Sequence, residues 1–395
     1  MIKYLIVMLS NTSPSFCYYD EKSRTKEAKL MPIKTLKSVI DYAINKNWLI
    51  NFLYGEEKLP AEYKDAINSV EHINYVPINM NLSEEEKNNS ILIINSNDKK
   101  ALNKLNNNSD NNIIIRLKKN DLGNLNDIVA SLIGKFKRLN LLLLYPEKYT
   151  KEDIETYKNQ LQFINETIIK EYKKGNSIEL NFLSDRLLLD GMNNCNAGID
   201  HVTIAPNGKF YICPGFFYND EKDFIGDLKT GINIKNAQLL DLDHAPICSI
   251  CDAFQCKRCV WLNKKLTLEI NTPSFQQCAL SHIERESTRL LLNALHNEKG
   301  FNDFNNIPPI PAIDYIDPLQ VINNEAKGIK QKKSFNEQNN FIQVKDGERA
   351  IDLPKLKQVN PLNDNLNHIE AMSTKDLLIE IYKMQKEILK EFNKK

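Results

Sequence analysis

Four cysteines within twelve residues, Cys248, Cys251, Cys256 and Cys259, are the groups in this chain best suited to chemistry. Cys195, Cys213 and Cys278 flank them, and Cys17 alone of the eight lies in the first half. Thiols grouped this tightly point to metal. Two thiolates in a C-x2-C turn reach one metal centre from a single loop, and two such turns supply four ligands. Structural zinc and iron–sulfur clusters both fit. A C-x2-C-x4-C-x2-C unit satisfies one tetrahedral zinc but leaves Cys195, Cys213 and Cys278 unexplained. Disulfides fit less well, since the sequence predicts a cytoplasmic chain with reduced thiols. Its apolar start, Tyr4 to Leu9, is too short for a signal peptide, and no small-residue cleavage site follows.

Bulk properties narrow the function. A length of 395 residues gives room for about two or three domains. Lys and Arg number 52 against 51 Asp and Glu, so bulk charge gives no reason to expect nucleic acid. No apolar run approaches the roughly 18 residues that span a membrane. The chain has no P-loop, G-x-G-x-x-G or G-x-S-x-G motif, so ATP use, dinucleotide binding and serine hydrolysis lack support.

The elements that must position the thiols follow from hydrophobic periodicity. Short apolar runs at Tyr4–Leu9, Leu49–Leu53, Ile73–Val76, Ile91–Ile94, Ile113–Ile115, Leu141–Leu144 and Ile178–Phe182 suit strands covered on both faces of a parallel sheet. Helix signals lie between them. Thr35 is placed to cap a helix with Leu36, Val39, Ile40 and Ile44 on one face. Thr150 and Asp153 form a capping-box pattern ahead of Ile154, Tyr157, Leu161, Ile164 and Ile168. Asn103–Asn112 reads as an exposed loop. The fold class is α/β, with repeated βα units over residues 1–185 in an open sheet or partial barrel. Val202–Ala205, Pro206-Asn207-Gly208 and Lys209–Ile212 form a β-hairpin pattern, and Cys195 and Cys213 lie close to the two ends it brings together. A small cysteine-rich domain occupies 186–300 and a polar linker 301–370. An amphipathic helix occupies 371–395, with Ser373 and Asp376 as its cap and Leu377, Ile381, Met384, Ile388 and Phe392 as its stripe. That helix either packs on its own protein or docks a partner.

In order, the thiols read Cys195-x12-Gly208-x4-Cys213, then Cys248-x2-Cys251-x4-Cys256-x2-Cys259, then Cys278. This pattern resembles the SPASM domain, a module that ends many peptide-modifying radical SAM enzymes. Its middle part has each of the last two spacings one residue shorter here. Ile225-Gly226-Asp227-Leu228 is also similar to the family's sequence. The resemblance implies two 4Fe–4S clusters. Carried over by order, Cys248, Cys251, Cys256 and Cys278 hold one, and Cys195, Cys213 and Cys259 the other. Two fully ligated clusters need one more ligand than these seven thiols supply. The remaining iron takes a non-cysteine ligand, an exchangeable ligand, a substrate thiolate or Cys17.

A radical SAM enzyme carries C-x3-C-x2-C in the loop after its first strand. Here that loop is Ser10-Asn-Thr-Ser-Pro-Ser-Phe-Cys17, and with Cys17 as the third position Ser10 and Pro14 stand where thiols belong. The loop therefore lacks the thiols for SAM cleavage by the usual radical route. A radical SAM-like half without that motif, a SPASM-type region and Cys256-Lys-Arg-Cys-Val-Trp-Leu-Asn263 together resemble the CXXX-repeat peptide maturases. That resemblance implies maturation of a ribosomally made precursor peptide with repeated cysteines. The alternative is a non-catalytic scaffold that binds the precursor and relays electrons to a second maturation protein. A zinc-stabilised binding protein is a third reading. Cys17 is the candidate catalytic residue, since active sites of α/β folds gather in loops at strand ends. His201, His244 and His282 read as surface or hydrogen-bonded side chains. Trp261 reads as packing beside the metal, and Lys257 and Arg258 as either charge compensation for a cluster or exposed cations.

Overall fold

The computed structural model describes residues 2–19, 27–80, 86, 89–98, 101–102, 108–176, 179–296, 298, 304 and 306–308. The chain divides into two units, residues 1–335 and 336–395. The 371–395 helix, most of the linker and Asp20 lie outside the described residues.

Strands β1 (Tyr4–Met8), β2 (Leu49–Leu53), β3 (His72–Pro77), β4 (Ser90–Asn95), β5 (Asn108–Leu117), β6 (Phe136–Leu143) and β7 (Glu179–Leu180) pair in sequence order, all parallel. When neighbours in sequence are neighbours in the sheet, right-handed crossovers put every helix on the same face. Helices α1 (Ile33–Asn45), α2 (Ala61–Asn68), α3 (Leu125–Leu132) and α4 (Lys151–Lys173) cover that face. Successive strand residues alternate between faces. Leu5, Val7, Ile50 and Phe52 meet helices, whereas Ile6, Met8, Leu53 and Leu142 meet the cysteine-rich segment.

The sheet does not stop at residue 185. β8 (His201–Ile204) pairs in parallel with β1, and β9 (Lys209–Tyr211) returns antiparallel to β8. β10 (Gly226–Asp227) and β11 (Gly231–Ile232) extend the sheet to eleven strands. The hairpin turn rests on Gly208, whose φ of 74° suits a residue without Cβ. Three short helices, α5 (Ser184–Leu188), α6 (Pro214–Asn219) and α7 (Val260–Thr267), and the longer α8 (Phe275–Leu295) follow β7.

Two local expectations are corrected. α1 begins at Ile33, with Pro32 and not Thr35 at the cap position. Proline presets a backbone angle compatible with the helix start, and Thr35 falls inside the first turn. Ile44, near the end of that helix, is 57% exposed. The asparagine-rich stretch is not wholly a loop, because β5 begins at Asn108 and reaches Asn112 through a register shift against β6. Polar residues can extend a strand where backbone pairing continues. The Thr150–Asp153 capping box forms as expected.

His201 stands directly opposite Tyr4 across the β1–β8 ladder, and their rings stack with centroids 4.7 Å apart. Burial pushes the imidazole down to about 4. The folded state thus binds fewer protons than the unfolded chain between about pH 6.5 and 4, and stability falls as pH falls through that window. Taking pH from 7 to 5 is expected to cost about 2 kcal/mol through this residue. His201→Phe keeps the stack and should remove that increment from urea unfolding. An unchanged pH dependence in the variant contradicts the assignment.

Gly215 lies against the Trp261 indole, and a Cβ there would sit 2.7 Å from Trp261 Cγ. Each stands two residues after a cysteine, Cys213 or Cys259, so this contact sets how closely those two segments approach. Gly215→Ala is expected to lower stability by about 2 kcal/mol, read from the urea midpoint. A loss below about 0.5 kcal/mol means the interface has slack.

Candidate metal centre

A cavity of about 540 Å³ opens on the sheet face that carries Ile6, Ile114 and Leu142. Its wall on one side is the strand set, through Ile6, Asn51, Ile114 and Asn140. The opposite wall is the cysteine-rich segment, with Cys195, Cys213, Cys256 and Cys259. Cys17 also faces it.

The loop after β1 explains how Cys17 gets there. The chain leaves β1 at Ser10 and runs back along the sheet face, so that Cys17 lines the same cavity as Tyr4, where β1 began. Ser10, Ser13 and Ser15 are fully buried on the way. Ser13 Oγ donates to the carbonyls of Ser10 and Leu53. Tyr218 Oη donates to the carbonyls of Asn11 and Ser13, and Tyr19 Oη donates to that of Pro14. The Tyr19 and Tyr218 rings stack at 5.5 Å, and Phe16 packs on Tyr75 at 4.7 Å. Tyr218 belongs to α6, so the helix that follows Cys213 also secures the loop that carries Cys17.

One apolar cluster takes in Cys17, Cys195, Cys213 and Cys259 and leaves out the other four cysteines, which divides the thiols into two groups of four. Cys17 interacts electrostatically with Cys259, Cys213 and Cys195. Cys278 interacts with Cys256, Cys248 and Cys251. The hairpin brings Cys195 and Cys213 to one end, and the Gly215–Trp261 contact brings in Cys259. Cys259 caps α7, with Leu262 N–H donating to its sulfur at 3.5 Å. A helix N-terminus favours the thiolate. The second group depends on α8, which supplies Cys278. Buried Arg285 on that helix holds both carboxylate oxygens of Asp252, the residue after Cys251. Gln255, next to Cys256, donates to the Ser281 carbonyl at 2.7 Å. α8 is in turn tied to α4, where Tyr157 Oη donates to Glu284 at 2.8 Å and Asn165 donates to the Ser287 carbonyl. Burial pushes Glu284 up to about 8, so it is protonated over much of the neutral range.

Burial also raises the thiols: Cys248 to about 11, Cys256 and Cys259 to about 12, and the others in the same direction. Without a cation they are neutral thiols, and a metal must displace their protons. All eight are unpaired, with no disulfide. Arg258, between Cys256 and Cys259, is only 1% exposed. Its hydrogen bonds go to neutral acceptors: Asn194 Oδ1, the Leu240 carbonyl and Asn271 Oδ1. Its strongest electrostatic partners are Cys248 and Cys195, one from each thiol group, ahead of Glu269 and Asp241. A buried cation with neutral contacts is costly, and an anionic group between the two quartets offsets that cost.

Of the other sequence candidates, Lys257 is exposed, Trp261 is buried packing, and His244 is on the surface. His282 Nε2 lies 3.6 Å from Cys251 Sγ. Gly215, Tyr218, Asp252, Glu284 and Arg285 carried no motif signal. The Cys213-Pro-Gly215 step was the one legible hint, since glycine after proline at a helix start allows close approach.

Among the described residues, no helix is long and apolar enough to cross a membrane. No family model matches the chain. No curated protein matches it. Solved structures do resemble it. anSMEcpe with bound AdoMet, a SPASM-domain radical SAM maturase, aligns with a TM-score of 0.51 at 15% identity, over 74% of this chain and 100% of that one. anSMEcpe with AdoMet and the Kp18Cys peptide aligns at 0.50 and 15% identity, over 75% and 99%. The complex with the Cp18Cys peptide gives 0.50 at 16% identity over the same shares. The chain has a mixed α/β fold of the radical SAM type, built on one large, mostly parallel sheet.

Proposed function

We propose that this chain is an iron–sulfur protein that matures a ribosomally made peptide with repeated cysteines. The observation that carries the reading is a single cavity walled by strand-borne amides and by cysteines of both thiol groups. Side-chain amides donate and accept, so Asn51 and Asn112 suit the N–H and C=O groups of an extended peptide, whereas Asn140 is held by Arg138 and the Ile113 carbonyl and Asn181 by the Leu141 backbone. A volume of about 540 Å³ admits a short segment of one. The anSMEcpe complexes with peptides support a peptide partner.

The donor set fits a SPASM-type pair of 4Fe–4S clusters. Cys248, Cys251, Cys256 and Cys278 would hold one, and Cys195, Cys213 and Cys259 would ligate the other. Such clusters supply one-electron transfer when bound. Arg258 offsets their negative charge, and Trp261 excludes water beside Cys259. Among the described residues no three His, Cys, Asp or Glu side chains converge tightly enough for a single metal ion. A single zinc on Cys248, Cys251, Cys256 and Cys259 would leave Cys195, Cys213 and Cys278 without a role, and this favours clusters.

A second reading, a precursor-binding and electron-relay scaffold for a separate maturation enzyme, draws support from the loop after β1. Ser10 and Pro14 offer no thiol there, and the loop's buried hydrogen bonds leave SAM cleavage without its usual ligands.

Anaerobic purification is expected to give a brown protein with about eight irons and eight sulfides per chain. Co-expression with a CXXX-repeat peptide is expected to change the peptide's mass. A change with this protein alone supports catalysis, and one that needs an added maturation protein supports the scaffold. A colourless, zinc-loaded protein that leaves the peptide unbound and unaltered contradicts both. Arg258→Met keeps the side chain's bulk and removes its charge. It should shift both clusters to lower potential by on the order of tens of millivolts. Unmoved potentials refute the compensating role of Arg258.

A further inference from the structure

Cys17 has three neighbours of its own kind. It shares the cavity wall with Cys195, Cys213, Cys256 and Cys259, and of these Cys195, Cys213 and Cys259 join it in one apolar cluster that takes in no other cysteine. It is partly uncovered because it borders the cavity, yet it lies deep in the fold. The seven thiols of the second half leave one quartet a ligand short, and that quartet is the one Cys17 joins. We propose that Cys17 is the fourth thiolate of the Cys195–Cys213–Cys259 cluster. The inference rests on the iron–sulfur reading above and deepens it.

The loop is built to hold this position. Between Ser10 and Cys17 the backbone is fixed by Ser13, Tyr19 and Tyr218, and Phe16 wedges against Tyr75. These contacts turn Cys17 inward to the level of Tyr4 and away from the strand ends. The thiol at the position of a SAM-cluster ligand thus serves the cluster beneath it. Eight thiols then match eight irons, and neither cluster keeps an iron open to a substrate thiolate. The peptide in the cavity would meet Asn51, Asn112 and the covered faces of the clusters.

The test compares the full-length wild type with Cys17→Ala, both reconstituted without oxygen. Iron and sulfide analysis, EPR spectra and the response to added cyanide are the readouts. Wild type is expected to hold about eight irons and to show EPR spectra indifferent to cyanide, because every iron has a thiolate. In Cys17→Ala one iron loses its protein ligand. That variant should bind cyanide with a shifted spectrum, and on mild oxidation drop to about seven irons with a three-iron signal. A wild type whose spectrum shifts with cyanide overturns the proposal by itself, even where the variant fails to fold. A Cys17→Ala protein with unchanged iron content and no cyanide response overturns it as well. Absence of iron and sulfide from both proteins rejects the underlying iron–sulfur reading instead.

Discussion

A buried arginine without a carboxylate in its hydrogen-bond shell is the constraint on which the second half of the structure depends. Arg258 sits between two groups of thiols, held by two asparagines and a carbonyl. Protein interiors tolerate such a cation when anionic charge lies nearby. Glu269 and Asp241 provide part of it, and thiolates on the proposed clusters would provide the rest. The same logic applies to the thiols, since burial raises all eight and each needs a metal to become a ligand. On the proposed iron–sulfur reading, cation and thiolates would stabilise one another once the metal is bound.

The α/β frame supplies the rest of the geometry. β1 is the pivot, with β2 on one side and β8 on the other. Its outgoing loop runs back along the sheet face, and its partner β8 begins the hairpin that delivers Cys195 and Cys213. Tyr218, on α6, links the two by donating to the β1 loop. The cysteine-rich segment is thus sewn into the sheet at one edge. At the other it is fastened by α8, whose Glu284, Arg285 and Ser287 tie it to α4 and to the Cys251 loop.

Much of this was legible in the sequence, for identifiable reasons. Runs such as Ile113–Ile115 and Leu141–Leu144 leave no polar face, so they read as doubly covered parallel strands, and both lie in or against β5 and β6. Asn207-Gly208 demands positive φ and gives the hairpin. Thr150 with Asp153 gives the α4 start. The parts that stayed hidden depend on long-range contacts. Nothing local tells a fully buried Arg258 from its exposed neighbour Lys257. The approach of Gly215 to Trp261 joins residues 46 apart, and that of Tyr218 to Asn11 joins residues 207 apart. Asn108–Asn112 misled because composition reads as loop where backbone pairing with β6 continues.

X-ray absorption at the iron and zinc edges of anaerobically isolated protein tests the central claim most directly. The account predicts an iron edge with a sulfur shell and a second, iron–iron shell, the mark of a cluster. Zinc at one equivalent with a single sulfur shell, and no iron, would contradict it.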